Sequence, residues 1–227
     1  MIEFLITEPQ VAALFALVIA LLVGSFLNVV ILRLPVMMQR EWDAMLQADS
    51  VQGNDASPHP QERFNLMVPR SRCGECGHLI KWYENIPVVS WLFLRGRCSD
   101  CGTRISIRYP LVELLSGLLG GWLIWQFGLT PQGVALVVMS WALIALTFID
   151  LDHQLLPDSI TLPLLWLGLL LNTQGVFTSL ESAVFGAAAG YLILWSVYWL
   201  FKLLTGKEGM GYGDFKLLAA LGAWGGV

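Results

Sequence analysis

The chain has 227 residues, of which 56% are hydrophobic and only 13% are charged. Soluble domains carry nearer a quarter charged residues, so this composition excludes an ordinary soluble domain and predicts extensive lipid-facing surface. The net charge is −4 and there is no basic tail, so we expect the lipid bilayer, and no nucleic acid, as a partner.

The first long apolar run extends from Val11 to Leu32. At about 1.5 Å per residue a helix here reaches roughly 33 Å, enough for a hydrocarbon core of about 30 Å. A cleaved signal peptide is the alternative. Because the preceding residues carry Glu3 and Glu8 and no positive side chain, we favour a retained transmembrane helix.

Further apolar segments follow, and they define the predicted fold class. They are approximately Leu111–Phe127, Gln132–Ile149, Ile160–Asn172, Ala183–Leu204 and a segment that starts near Phe215 and is cut short at Val227. Gly128, Thr130 and Pro131 predict a tight connection between the first two of these segments. The sequence therefore predicts an all-α polytopic membrane protein with about six transmembrane helices.

The basic residues predict the orientation of these helices. Ten of the thirteen Lys and Arg residues lie between Arg33 and Arg108. Loops rich in Lys and Arg stay in the cytoplasm, so this segment is predicted to be cytoplasmic. Counting spans from this loop places both Asp150 and Asp214 at the cytoplasmic ends of helices.

All four cysteines lie in this predicted cytoplasmic loop, as Cys73-x-x-Cys76 and Cys98-x-x-Cys101. Each pair can direct two thiolates at one tetrahedral ion, and the reducing cytosol disfavours structural disulfides. We therefore predict a structural zinc ribbon with four cysteine ligands. One or two redox-active cysteine pairs are the alternative.

Two aspartates stand out as candidate catalytic residues. Asp150 ends one apolar segment, and Asp214 begins another after Gly209, Gly211 and Gly213. Two close carboxylates share one proton, so one can accept a proton from water while the other donates to a carbonyl oxygen. The pair predicts a membrane aspartic peptidase that needs no metal in its catalytic site.

Three other polar residues near these aspartates have less distinctive interpretations. Asp158 precedes an apolar segment, and we favour a role at the positive end of that helix. For Asp152 a functional and a solvated role are equally compatible with the sequence. His153 is interpreted as an interfacial residue rather than a metal ligand.

Short motifs occur in order along nearly the whole chain. They are Gly24–Ile31, Arg72–Cys76, Trp82–Pro87, Arg95–Cys98, Ile107–Glu113 and the two aspartate motifs. In this set and order the chain resembles the type IV prepilin peptidases, the bifunctional leader peptidases and N-methyltransferases of bacterial pilus assembly and type II secretion. In that family the catalytic pair looks like Asp150 and Asp214, and the cysteine ribbon resembles that of the bifunctional members.

The resemblance also implies substrates, a cofactor and a location. It implies cleavage of the basic leaders of prepilins and pseudopilins, and methylation of the new N-terminus from S-adenosylmethionine. It implies a multi-pass protein of the bacterial inner membrane whose active site faces the cytoplasm. Family members normally continue with about two further hydrophobic segments beyond the second aspartate, so the chain is expected to be C-terminally incomplete.

These expectations divide the chain into three parts by role. Residues 1–32 form the first transmembrane helix, 33–108 the cytoplasmic zinc-binding loop domain, and 109–227 the membrane-embedded aspartyl peptidase domain. The cofactor-binding residues are unknown: Gly96 and the run Trp82–Pro87 are candidates by resemblance, and shaping the ribbon is an equally compatible role. A cation-coupled transporter and a membrane-anchored zinc-ribbon adaptor are the competing functions.

Overall fold

The chain folds into a series of long helices connected by short segments and one larger polar region. The computed structural model describes residues 8–50, 64–207 and 209–227. Its helices are α1 (Pro9–Ser50), a 3₁₀ helix (Trp82–Asn85), α2 (Val89–Phe93), α3 (Arg108–Phe127), α4 (Pro131–His153), α5 (Asp158–Asn172), α6 (Leu180–Thr205) and α7 (Tyr212–Gly225). The predicted all-helical class is confirmed, because these described ranges contain only two isolated β-bridges beside the helices.

Four helices are long and apolar enough to cross a membrane: α1, α3, α4 and α6. Many of their large apolar side chains are exposed, for example Leu14, Phe15 and Leu22 of α1, as lipid-facing positions require. Helix α5 has 15 residues and α7 has 14. At about 1.5 Å per residue these two reach roughly 21–23 Å, less than a hydrocarbon core of about 30 Å. The structure thus supports a multi-pass membrane protein with four candidate spans in the described residues, against the six that the sequence predicts.

Helix α1 is longer than the apolar run that predicts it. It continues beyond Leu32, through Pro35, to Ser50. The residues after Leu32 are mostly Met, Gln, Arg, Glu, Ala and Leu, which favour helix without being apolar throughout. The helix continues through Pro35, although an interior proline removes one backbone hydrogen bond and crowds the carbonyl of residue 31. The predicted boundary at Arg33 therefore marks a change of polarity and not the end of the helix.

The predicted connection between the second and third apolar segments is present. Helix α3 ends at Phe127, and Gly128 has a positive φ of 67° that favours glycine. Pro131 occupies the first turn of α4, and the Thr130 side chain accepts a hydrogen bond from the Gly133 N–H at 3.1 Å. This N-cap with a following proline is a common way to begin a helix.

The chain divides into two compact units, Gln10–Trp122 and Leu123–Val227. The three parts expected from the sequence describe role rather than packing, and they stay a prediction. Each compact unit contains one of the two candidate sites. The cysteines lie in the first unit and the two aspartates lie in the second.

In the first unit, α1 and α3 pack closely through small residues. A side chain at Gly24 would place its Cβ 2.8 Å from Glu113 Cα. Ser116 is fully buried and donates a hydrogen bond from its hydroxyl to Ala20 O at 2.6 Å. Such small residues let the backbones of two membrane helices approach closely.

In the second unit, α7 packs against α5 and α6. Gly186 and Gly190 lie on the face of α6 that meets α7, where Gly186 contacts the Gly222 backbone. Their spacing is the Gly-x-x-x-Gly pattern typical of membrane helix pairs, a signal that the sequence interpretation missed. On the other side, Trp224 Nε1 donates to Leu164 O at 2.8 Å. Helix α7, which carries Asp214 in its first turn, is thereby held at its C-terminal half by two neighbouring helices.

Candidate active site and metal centre

The two predicted catalytic aspartates lie at helix ends within the second compact unit. Asp150 is exposed and lies three residues before the end of α4 at His153. The helix stops where Gln154 adopts a left-handed conformation and donates its backbone N–H to Asp150 O. Asp214 lies in the first turn of α7 and is half-buried.

The segment that follows Asp150 packs against the start of α7. A side chain at Gly213 would place its Cβ 2.7 Å from Leu156 Cβ, so the backbone of Gly213 lies directly against this segment. Lys216 Nζ also donates to the two carboxylate oxygens of Asp158, at 2.7 and 2.6 Å. Two motifs that are distant in sequence are therefore adjacent in space.

The structure distinguishes the polar residues beside the aspartates. Asp158 is the first residue of α5, as its predicted place at the positive helix end requires, but its carboxylate pairs with Lys216 and makes no side-chain cap. Asp158 therefore lies at the positive end of α5 as predicted, and it also forms an ion pair between helices. Asp152 and His153 are both exposed near the end of α4.

The residue after Asp214 fixes the first turn of α7. Phe215 is fully buried, and its ring lies 5.8 Å from the Tyr191 ring, 5.6 Å from Tyr198 and 5.6 Å from Tyr212. Aromatic pairs at these distances are favourable in edge-to-face arrangements. Tyr191 and Tyr198 are seven residues apart on α6, so they share one helix face. This spacing was available in the sequence and was missed.

The four cysteines meet as predicted. All four are free thiols, and their sulfur atoms lie within 4.8 Å of one another. Cys73 Sγ and Cys101 Sγ are 3.8 Å apart. Thiolates bound tetrahedrally to zinc at about 2.3 Å are themselves about 3.8 Å apart, so the donor set and its dimensions fit one such ion.

The two cysteine pairs occupy equivalent turns. Gly77 N donates to Cys73 O and Gly102 N donates to Cys98 O, both at 3.1 Å. Gly77 and Gly102 have positive φ values of 73° and 70°, which explains the glycine at each turn. A single β-bridge flanks each turn, Arg72 with Leu79 and Arg97 with Arg104. In the described part of the loop, the predicted ribbon consists of two such cysteine turns, or knuckles, each flanked by one β-bridge.

Hydrogen bonds, burial and the neighbouring sulfurs shift the pKa values of the thiols in both directions. Hydrogen bonds with the Thr103 side chain and backbone lower the pKa of Cys101 to about 6. Backbone hydrogen bonds from Cys76 and Glu75 also lower the pKa of Cys73. The backbone of His78 acts in the same direction on Cys76, but burial and the neighbouring sulfurs raise the pKa of Cys76 to about 12. Four thiolates this close repel one another unless a cation lies between them.

Glu84 connects the two knuckles. Its carboxylate accepts from the Lys81 N–H at 2.9 Å and the Ser99 hydroxyl at 2.6 Å, and lies 3.2 Å from His78 Nε2. The Lys81 backbone, Ser99 and His78 together lower the pKa of Glu84 to about 2. Glu84, within the run Trp82–Pro87, therefore helps to shape the ribbon. Shaping the ribbon and binding the cofactor are the two roles expected for that run.

Gly96 also has a structural role. Its φ is 64°, and a Cβ here would lie 2.8 Å from the Trp91 ring. Trp91 Nε1 donates to Ile105 O at 3.2 Å, which holds the indole against Gly96. Trp91 also lines a cavity of about 650 Å³ within the first compact unit. Gly96 thus contacts a side chain of the cavity wall.

Comparisons with known proteins connect these sites to a family. Residues 18–127 match the Bacterial Peptidase A24 N-terminal domain, and residues 137–227 match the Type IV leader peptidase family. A prepilin leader peptidase/N-methyltransferase of Stutzerimonas stutzeri is 60% identical over 99% of this chain and 77% of its own length. The chain belongs to the type IV leader peptidase family.

Two further relatives carry the same name. The protein of Pseudomonas aeruginosa is 55% identical over the whole of this chain and 77% of its own, and that of Dichelobacter nodosus is 56% identical over 97% and 77%. No solved structure matches the chain. The predicted family and peptidase class are therefore confirmed, whereas the roles of individual residues of this leader peptidase stay predictions.

Proposed function

We propose that this leader peptidase is an aspartic endopeptidase that removes the basic leader of type IV prepilins and pseudopilins and then N-methylates the new N-terminal residue. The close packing of Gly213 on Leu156 carries this proposal, because it joins the Asp150 and Asp214 motifs in one compact unit. The family match and the names of the relatives support both activities.

In this mechanism Asp150 and Asp214 serve as one general base and one general acid. The ionised carboxylate takes a proton from water, and the water oxygen attacks the scissile carbonyl carbon while the protonated carboxylic acid donates to the carbonyl oxygen. On collapse the C–N bond breaks, and a proton from the pair passes to the leaving amine. No covalent intermediate forms, and the pair returns to its singly protonated state.

The proposed location is the bacterial inner membrane, with the active site facing the cytoplasm. The concentration of Arg and Lys between Arg33 and Arg108 supports this orientation. The cysteine pairs lie in the same region and suit a reducing compartment. Prepilin substrates present a basic leader and a hydrophobic helix, so their cleavage site reaches an enzyme site at this membrane surface.

The proposed ion at Cys73, Cys76, Cys98 and Cys101 is structural zinc. Four thiolates complete a tetrahedral shell, so no coordination position remains for a water molecule. The ion supplies folding free energy to residues 64–107, which contain only short helices and two isolated bridges. We expect Cys73→Ser to lower zinc content and loop stability more than it lowers proteolysis, and retained stoichiometric zinc contradicts the assignment.

The test of the two activities uses the purified full chain with a prepilin and S-adenosylmethionine, which supplies the transferable methyl group. Mass spectrometry follows the leader-free product and its methylated form. We expect both products in sequence, cleaved before methylated. A transporter or an adaptor gives neither product, so absence of cleavage by folded, zinc-loaded protein overturns the proposal.

A further inference from the structure

The cavity in the first compact unit contains a buried carboxylate that the peptidase reaction does not use. Glu113 on α3 is only 8% exposed, and it lines the cavity of about 650 Å³. That volume lies within the range of about 300–1,000 Å³ typical of small-molecule sites. A carboxylate this deeply buried is costly, and ionisable groups in membrane helices are usually functional.

A strained turn at Val88 donates a backbone hydrogen bond to the Glu113 carboxylate. Val88 has φ of 60° and ψ of −48°, and Val89 N donates to Pro87 O at 2.5 Å, which makes a γ-turn of the rare, strained kind. The turn presents the Val88 N–H to Glu113 Oε2 at 2.8 Å. A β-branched residue at positive φ is unusual, and such strain concentrates at functional sites.

Two polar residues of α1 line the same cavity beside Glu113. Asn28 is 7% exposed, and its amide nitrogen donates to Tyr109 O at 3.1 Å. Ser25 is hydrogen-bonded to the Glu113 carboxylate. The close approach of α1 to α3 at Gly24 brings these groups together. A carboxylate, an amide oxygen and a hydroxyl are acceptors suited to an ammonium group.

Other residues that line the cavity have a different chemical character from Glu113, Asn28 and Ser25. Arg70, Arg72 and Arg104 line it, together with the Trp91 ring. Arg33 donates to Asn65 O at 3.0 Å and to Pro69 O at 2.7 Å, so it fixes one wall. The arginines suit an anionic group and the Trp91 ring suits a flat base. A sulfonium methyl donor of the S-adenosylmethionine class carries both a carboxylate and such a base. The lining of this cavity therefore contains groups that fit such a donor and groups that fit an amine.

We propose that Glu113, with Asn28 and Ser25, binds the α-ammonium group of the cleaved substrate and accepts its proton, so that methyl transfer takes place in this cavity. The inference rests on the proposed function. Glu113 lies five residues into α3, about 7.5 Å from its first residue Arg108. That shallow position suits an amine that immediately precedes a hydrophobic helix.

In methyl transfer, Glu113 acts as the base that accepts a proton from the ammonium group of the substrate. An α-amine is protonated below its pKa of about 8, and its protonated form has no lone pair to donate. Transfer of this proton to the carboxylate gives a neutral amine and a carboxylic acid. The amine then attacks the methyl carbon, an N–C bond forms as the C–S bond breaks, and the electron pair of that bond stays on the donor sulfur. The carboxylic acid afterwards releases its proton to water.

Glu113→Gln tests this role in the full chain, with Glu41→Gln as a control because Glu41 is exposed on α1 and does not line the cavity. Three measurements are made: prepilin cleavage, methylation of pre-cleaved substrate, and donor affinity from the quenching of tryptophan fluorescence by S-adenosylhomocysteine. We expect Glu113→Gln to methylate at least about 10²-fold more slowly. Cleavage and donor affinity should stay within about twofold of the parent.

The pH profile separates proton acceptance from a purely structural role. Residual methylation by Glu113→Gln should rise as pH passes about 8, where the amine becomes neutral without help. Glu113→Asp should recover part of the rate near neutral pH. Methylation at the parent rate, or an equal loss of donor affinity and cleavage, overturns the inference. If the parent itself neither cleaves nor methylates, it is the proposed function that fails.

Discussion

Substitution of Gly213 by alanine tests whether the start of α7 must lie directly on Leu156. The new Cβ would be 2.7 Å from Leu156 Cβ and 3.3 Å from Leu156 O. Carbon atoms in contact prefer about 3.5–4.0 Å, so the two segments must separate by roughly 1 Å. Neither atom lies at the flexible end of a side chain, and a shift of the backbone that carries Asp214 is therefore required.

A misplacement of about 1 Å at a reacting group can cost about 10²-fold in rate, equivalent to about 2.7 kcal/mol of activation free energy. We therefore expect Gly213→Ala to lower kcat for prepilin cleavage by about 10²-fold, with KM changing less. The protein should stay folded, because overpacking costs about 1–3 kcal/mol. Cleavage is measured by mass spectrometry, and folding by thermal unfolding in detergent.

The matched control is Gly211→Ala, two residues earlier. Its Cβ would meet nothing closer than Asp214 Oδ2 at 3.8 Å, an ordinary contact. We expect cleavage within about threefold of the parent, because this Cβ forces no shift of the backbone. Full activity of Gly213→Ala, or an equal loss in both variants, would show that the start of α7 need not lie directly on Leu156, since only the Cβ at position 213 forces the backbone to move.

Three further predictions concern the packing and electrostatics around the two sites. Gly190→Ala places a Cβ 2.6 Å from Leu218 O, so it should destabilise the second unit by about 1–3 kcal/mol, measured by thermal unfolding. Gly225→Ala is the control: its Cβ would meet nothing within 4 Å, so the free energy of unfolding should not change. The pKa of Glu84 is lowered from 4.5 to about 2, so the stability that its carboxylate contributes to the loop is complete above pH 4.5 and is lost as pH falls toward 2. Glu84→Gln should therefore flatten the plot of unfolding free energy against pH in this range. An unchanged plot would contradict a stabilising role for the Glu84 carboxylate. Lys216→Met should cost no more than about 1 kcal/mol, and high salt should reduce the difference from the parent, because the pair with Asp158 is partly exposed.

The sequence predicts the helical class and the helix positions because each apolar run must bury its own backbone hydrogen bonds in lipid. It also predicts that the four cysteines lie close together, because two Cys-x-x-Cys pairs have the spacing of the ligands of one tetrahedral metal ion. The end of α1 is missed because residues after Leu32 change in polarity without losing helix propensity. Local composition therefore predicts where the chain enters the membrane better than where a helix ends.

The missed features are contacts between residues far apart in the chain. The ion pair of Asp158 with Lys216, the packing of Gly213 on Leu156 and the γ-turn that reaches Glu113 all depend on how helices meet. Apolar periodicity carries no information on these pairings. The Gly186-x-x-x-Gly190 pattern is the exception, because it predicts a close helix contact from the sequence alone.

In the proposed mechanism Asp150 and Asp214 act as one catalytic unit. This is tested by the rate of prepilin cleavage by Asp150→Asn, Asp214→Asn and the double variant, each shown to be folded and zinc-loaded. Residues that act as a unit are not additive, so each single variant should abolish cleavage and the double variant should lose nothing more. Near-normal cleavage by either single variant would contradict the account.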